Sequence, residues 1–131
     1  MKITQDLLDD LTARAQASPR LRMHQDLRNS PSDSSQRMLN AIEPGSVVPV
    51  HRHRHSSETV VCLRGRLVEE FYDDLGRLCG EAVELRPDGP TVALNIPVGQ
   101  WHTLRSLVSG TVILECKDGP YQAQDPEDIL Y

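Results

Sequence analysis

No apolar run in this 131-residue chain approaches the roughly 20 residues that a membrane-spanning helix requires. The opening segment, MKITQDLLDDL, puts acidic residues where a secretory leader needs an unbroken apolar core, so a soluble, cytoplasmic protein with no membrane partner is expected. Cysteine is scarce: Cys62, Cys79 and Cys116 are odd in number and form no CxxC pair, which argues against a disulfide framework and a zinc ribbon and leaves them as reduced packing residues. Lysine is scarcer still, since only Lys2 and Lys117 among the 14 basic residues are not arginine. Arginine suits bidentate recognition of carboxylate or phosphate, although a GC-rich genome would leave the same bias. With a net charge of -5 and no basic block, a nucleic-acid partner held by phosphate contacts is excluded. The length suits one compact domain, and no internal repeat is visible.

Histidine, by contrast, is concentrated. His51, His53 and His55 alternate in PVHRHRHSSE, Glu58 comes next, and Trp101-His102 lies far downstream. In an extended chain, side chains two apart share a face, so His51 and His53 can deliver two imidazoles to one point. Neutral imidazoles with a carboxylate suit zinc, iron, nickel, copper or manganese. His53 and Glu58 are an odd number apart and cannot share a face on one straight strand, so Arg54-His55-Ser56-Ser57 is expected to turn the chain. The plainer alternative is a solvated His/Arg loop, against which the added glutamate and His102 weigh.

Ile3, Leu7, Leu8, Leu11 and Ala15 recur at helical spacing, with Thr4 as N-cap and Asp6 in the first turn, which predicts a short amphipathic helix ending before Ser18-Pro19. The Ser-, Pro-, Asp- and Arg-rich segment after it, to about Ser35, is expected to be loop, with a polar lid as the functional alternative. The predicted organisation is therefore a helix and lid-like loop over 1–35 and a β-barrel over 36–131, in one domain. From Gln36 onward about eight short runs of period two or β-branched character predict an antiparallel sandwich or barrel: RMLNAIE, VVPVHRH, ETVVCLRG, RLVEEFYDD, RLCGEAVEL, TVALNI, WHTLRSLV and TVILECK. ETVVCL is apolar on both faces and needs a cover, either the helix or a partner subunit; a homodimer is expected.

These motifs resemble the cupins, whose first motif has the form G(X)5HXH(X)4E(X)6G. Gly45, His51, His53, Glu58 and Gly65 match it, and Pro97, Gly99 and His102 supply the PXGXXH centre of the second. The second motif's usual leading glycine falls on Thr91 and its trailing asparagine on Ser106. The resemblance implies an all-β jelly-roll β-barrel, an antiparallel double sheet with the short N-terminal helix added, and one divalent metal ion (Zn, Fe, Mn or Ni) held by His51, His53, Glu58 and His102. Along nearly its whole length the chain is also similar to the small cupin-fold metalloproteins called WbuC, through SPRLRMHQDL, QRMLNAIEPG, GRLVEEFYDDLGR and KDGPY. That resemblance implies a link to O-antigen and surface-polysaccharide biosynthesis.

The expected function is that of a metal-dependent enzyme on a small sugar or sugar-nucleotide substrate, with the metal polarising a carbonyl or hydroxyl in an isomerisation or epimerisation. His24, His55, Tyr72 and Tyr121 are the candidate acid/base groups; for each tyrosine a half-buried packing role is the alternative. Arg22 and Arg64 are candidate substrate-binding residues. Arg64 lies an even count beyond Glu58 and is expected to face the barrel interior, held there by an anionic ligand or by Glu69 or Glu70. Trp101 should face away from His102. An Fe(II) dioxygenase and a non-catalytic small-molecule-binding cupin are the alternative functions.

Overall fold

The computed structural model describes residues 1–131. Helix α1 spans Gln5–Ala17, where the Thr4 hydroxyl accepts from the Leu7 amide at 3.2 Å and Ser18 ends the helix by donating its amide to Ala15 O. Its buried stripe is Leu8, Leu11, Thr12 and Ala15. Each fully buried leucine contributes about 1.5–3 kcal/mol relative to exposure, which outweighs the marginal stability of so short a helix in water. No helix is long and apolar enough to cross a membrane.

Eight strands come after the helix: β1 Arg22–Asp26, β2 Ser35–Ile42, β3 Glu58–Arg64, β4 Leu67–Tyr72, β5 Val83–Leu85, β6 Ala93–Ile96, β7 Trp101–Ser106 and β8 Val112–Asp118. They form two antiparallel sheets, one of five strands in the order β1-β2-β8-β3-β6 and one of three in the order β5-β4-β7. Facing inward between them, Ile42, Val60, Cys62, Leu67, Leu85, Ile96, Leu104 and Ile113 make an aliphatic core. A second cluster forms outside the larger sheet, where Leu8, Leu11 and Ala15 of α1 cover Leu39, Ala41 and Val112, with Leu63 at its margin. The architecture is a jelly roll with an N-terminal helix laid on one face; the helix covers β2 and β8, and of the outer face of β3 it reaches only Leu63, leaving Thr59 exposed and Val61 half-buried.

Three local expectations need correction. The segment expected to be loop as far as Ser35 contains β1, which pairs with β2 from Arg22↔Ile42 to Asp26↔Met38. Its polar side chains hid it, because an edge strand over a wide cavity has little apolar period to show. VVPVHRH is not a regular strand: His51 alone forms bridges, to His102 and to Ile129, and the chain bends at Arg54–His55. Arg64 does not face the interior, because the β3–β8 register shifts between Cys62 and Arg64. A bulge adds one residue to one strand and so reverses the facing of the residues beyond it. Arg64 instead donates to Gly110 O at 2.8 Å, Asp9 Oδ1 at 2.7 Å, Thr12 Oγ1 at 3.0 Å and Gln5 Oε1 at 3.2 Å, docking α1 rather than meeting Glu69, Glu70 or a ligand. Cys62, Cys79 and Cys116 are all free thiols.

Candidate metal centre

The two histidine segments meet through their main chains. His51 N donates to His102 O at 3.0 Å, and His102 N donates to His51 O at 2.8 Å. Such a pair projects its side chains to one side of the ladder, and the imidazole centroids lie 4.4 Å apart. His53, two residues along, stands 5.1 Å from His51 and 5.7 Å from His102 by ring centroid. One ligand nitrogen from each of the three rings can be chosen so that all lie within 4.8 Å of one another.

Backbone carbonyls set two of the tautomers. His51 Nδ1–H donates to Pro49 O at 2.8 Å, and His102 Nδ1–H donates to Gln100 O at 2.9 Å. In the neutral ring the proton on Nδ1 leaves a lone pair on Nε2, the arrangement a metal ligand needs. Burial, reinforced by the charge His102 would carry, pulls the His51 pKa down to about 4, so at neutral pH it is an unprotonated ligand. His53 differs: the Lys117 ammonium lies 3.3 Å from its Nδ1 and can only donate, which puts the ring proton on Nε2.

Glu58 is buried at the start of β3. Its Oε2 lies 3.2 Å from His53 Nε2 and 3.5 Å from His102 Nε2, yet makes no well-formed hydrogen bond. Burial alone would raise this carboxyl, but the neighbouring His102 and His53 rings hold it well below the usual range. When His102 keeps its ring proton on Nδ1, its Nε2 lone pair and the Glu58 oxygen face each other 3.5 Å apart, acceptor against acceptor. A cation between them satisfies both, and the donor set of three imidazoles and one carboxylate fits a divalent transition metal. These residues would hold it.

The interior carries two more carboxyl groups: Glu69, expected there only as a partner for Arg64, and Glu115, which the sequence did not single out. Glu69 is 0% exposed with neither oxygen partnered, on the β4 position opposite Leu104 of β7. Burial, then Glu58 and Glu115, raises its pKa well above normal, so it is a neutral acid. Glu115, opposite Val60, takes a 3.2 Å hydrogen bond from Asn40 and is raised first by burial and then by the Glu58 charge. Strict alternation in LVEEF was the available signal: the register that points Leu67 and Phe71 inward takes Glu69 with them.

A cavity of about 550 Å³ with a largely polar lining opens beside His53, and its walls include His55, Lys117 and Tyr121. The other acid/base candidates are not brought there. Tyr72 opposes Trp101 on the outer face and packs edge-on against Tyr131, ring centroids 6.1 Å apart, because the inward position of that pair belongs to Phe71 and His102. Trp101 is buried beneath Arg52 and donates Nε1–H to Asp74 Oδ1 at 3.0 Å. His24 and Arg22 line a second cavity, which shares Gln36 and Tyr121 with the first.

A family model described as a domain of unknown function, DUF6016, matches residues 3–83. The chain belongs to DUF6016. The match takes in α1, both cavity-lining segments of β1 and β2, and the ligand candidates His51, His53 and Glu58, and it stops short of His102. A search of curated proteins finds no match for this DUF6016 chain. Among solved structures it is similar to KdgF from Halomonas sp. (16% identity, TM-score 0.61), covering 80% of this chain and 84% of that one. It is also similar to a variant oxalate decarboxylase of Bacillus subtilis (18% identity, TM-score 0.61), covering 83% of this chain but 28% of that one. An oxalate oxidase with the substrate analogue glycolate gives 16% identity and a TM-score of 0.62 over 81% of this chain and 55% of that one. These likenesses establish the cupin jelly-roll fold for this DUF6016 member.

Proposed function

We propose that the protein is a metal-dependent cupin enzyme acting on a small, oxygen-rich substrate of the sugar or sugar-nucleotide type, in isomerase- or epimerase-like chemistry. The observation that carries the metal is the convergence of His51, His53 and His102, with one ring nitrogen of each within 4.8 Å of the others, beside a buried Glu58 oxygen that has no hydrogen-bond partner. The B. subtilis oxalate decarboxylase, similar in fold at 17% identity, has Mn(II) centres, which supports a divalent ion here. When bound, such an ion supplies Lewis-acid polarisation of a carbonyl or hydroxyl oxygen. Around it the chain supplies a polar cavity for a hydroxylated molecule, His55 and Tyr121 in its wall, and Glu69 as a buried, protonated carboxyl behind the centre. The WbuC-like reading, with its link to surface polysaccharides, draws support from where the similar segments fall: SPRLRMHQDL supplies walls of the second cavity, and KDGPY runs along the first.

The test is elemental analysis of the purified full-length chain, followed by assay with nucleotide sugars and hexose phosphates before and after chelation. One equivalent of Zn, Mn or Ni with chelator-sensitive, oxygen-independent turnover supports the proposal. Iron with oxygen uptake would replace it by the dioxygenase, and tight saccharide binding without product by the binding module.

A further inference from the structure

Twelve of the 14 basic residues are arginine, and ten of those form an ion pair with a carboxylate. The two that form none, Arg20 and Arg22, are two residues apart and line the same cavity, of about 470 Å³. In a chain of net charge -5 with acidic residues to spare, this pairing failure is local and specific. His24, Arg28 and Arg37 line the cavity too, and its one carboxylate is Asp26. Asp26 is already committed: Arg28 Nη2 reaches its Oδ2 at 2.7 Å and Arg28 Nε reaches both oxygens at 3.0 Å.

The backbone holds the unpaired arginines in place. Leu21, between them, has φ 56, the sole non-glycine residue of the chain in the left-handed region, a conformation that costs a β-carbon residue about 1–2 kcal/mol. The Ser46 hydroxyl donates to Arg20 O at 2.7 Å and accepts from Arg22 Nη1 at 3.3 Å, and Arg22 Nη1 also donates to Val47 O at 2.9 Å. That leaves Arg22 Nε and Nη2 without an acceptor, while burial and the Arg20 charge both bear against the Arg22 guanidinium. A braced guanidinium with a second, unpaired one near enough to bear on it, both lining one cavity, is stabilised by an anion.

We infer that this cavity binds a phosphoryl group of a small molecule, with Arg20 and Arg22 as its charge partners and His24 beside them. A carboxylate neutralises one guanidinium fork; a phosphoryl group carries about -1.5 to -2 charges and three acceptor oxygens, which matches two. Because the cavity shares Gln36 and Tyr121 with the one beside His53, a molecule anchored here by phosphate can extend its hydroxylated end toward the histidines. Only this last connection rests on the proposed function; the anion site does not need the metal.

The experiment is calorimetric titration of the full-length chain with inorganic phosphate, pyrophosphate and acetate at fixed ionic strength, on chelator-treated and metal-loaded samples, with metal content measured in parallel. Chelator-treated protein is expected to bind phosphate and pyrophosphate saturably and acetate at least about tenfold more weakly; Arg20→Gln and Arg22→Gln should each weaken phosphate binding about tenfold, the loss typical of a charge-assisted hydrogen bond, and leave metal content unchanged. Arg77→Gln, which makes the same charge change at an exposed pair with Asp73, should change it less than about twofold. No saturable phosphate binding, equal binding of acetate, or an equal loss in Arg77→Gln would overturn the inference. Phosphate binding in a chain that takes up no metal would sink the proposed function and leave this site standing.

Discussion

His51 and His102 are joined by a reciprocal pair of main-chain hydrogen bonds, 3.0 and 2.8 Å long, across which their imidazoles converge. The scaffold of the centre is therefore backbone, and the side chains are free to act as ligands. Replacing either imidazole should remove the ion without unfolding the chain. His51→Ala, His102→Ala and Glu58→Gln are each expected to lower metal affinity by more than the roughly 10–100-fold typical of outer-sphere partners. Metal analysis after dialysis checks this, with circular dichroism of the metal-free proteins confirming an unchanged fold.

Lys117 and a metal compete for His53. The ammonium donates to Nδ1, whereas ligation through Nε2 would move the ring proton to Nδ1 and set it against Lys117. Lys117→Met should therefore tighten metal binding severalfold, as removal of a nearby positive charge also favours. A competition titration against a chromophoric chelator reads the difference, and weaker binding in the variant would contradict it.

Glu69 ties stability to pH. Its folded pKa is raised above the unfolded value, so the folded chain keeps a proton that the unfolded chain releases above about pH 4.3. Stability should then fall as pH rises, with a limiting slope of about 1.4 kcal/mol per pH unit until the folded carboxyl itself ionises. Glu69→Gln, neutral at every pH, should lose this component and be the more stable protein at pH 8. Urea unfolding of the metal-free proteins at pH 5 and pH 8 measures it; equal pH dependence in both would show that Glu69 is ionised in the fold.

Arg64 acts on α1. Removing its hydrogen bonds to Asp9, Thr12 and Gln5 by Arg64→Ala should cost about 1.5–3 kcal/mol, the range for bonds to a charged group, and loosen the helix first. Hydrogen exchange of the α1 amides should rise while metal content stays at the wild-type level. A loss of substrate affinity with α1 protection intact would return Arg64 to the binding role.

Gly65 is fixed by the close approach of Thr111. At φ 84, an added Cβ would lie 2.6 Å from Thr111 Cα, so no side-chain adjustment relieves it. Gly65→Ala should cost about 3 kcal/mol from left-handed strain plus overpacking, visible in thermal melting. A melting temperature within a degree of wild type would mean the β3–β4 turn relaxes.

Much of the site was legible because it is local. The same-face placement of His51 and His53 comes from a period of two, the bend before Glu58 from an odd count, and the limits of α1 from Thr4 and Ser18. Where a position depended on a distant segment, the residues gave no warning. A bulge against β8 turned Arg64 outward, and a polar edge strand stood where Arg22 and His24 had read as loop. Periodicity records which side chains share a face. Which face is inside, and which charge finds a partner, is settled by strands contributed from elsewhere in the chain, because burial and ion pairing are properties of neighbours in space.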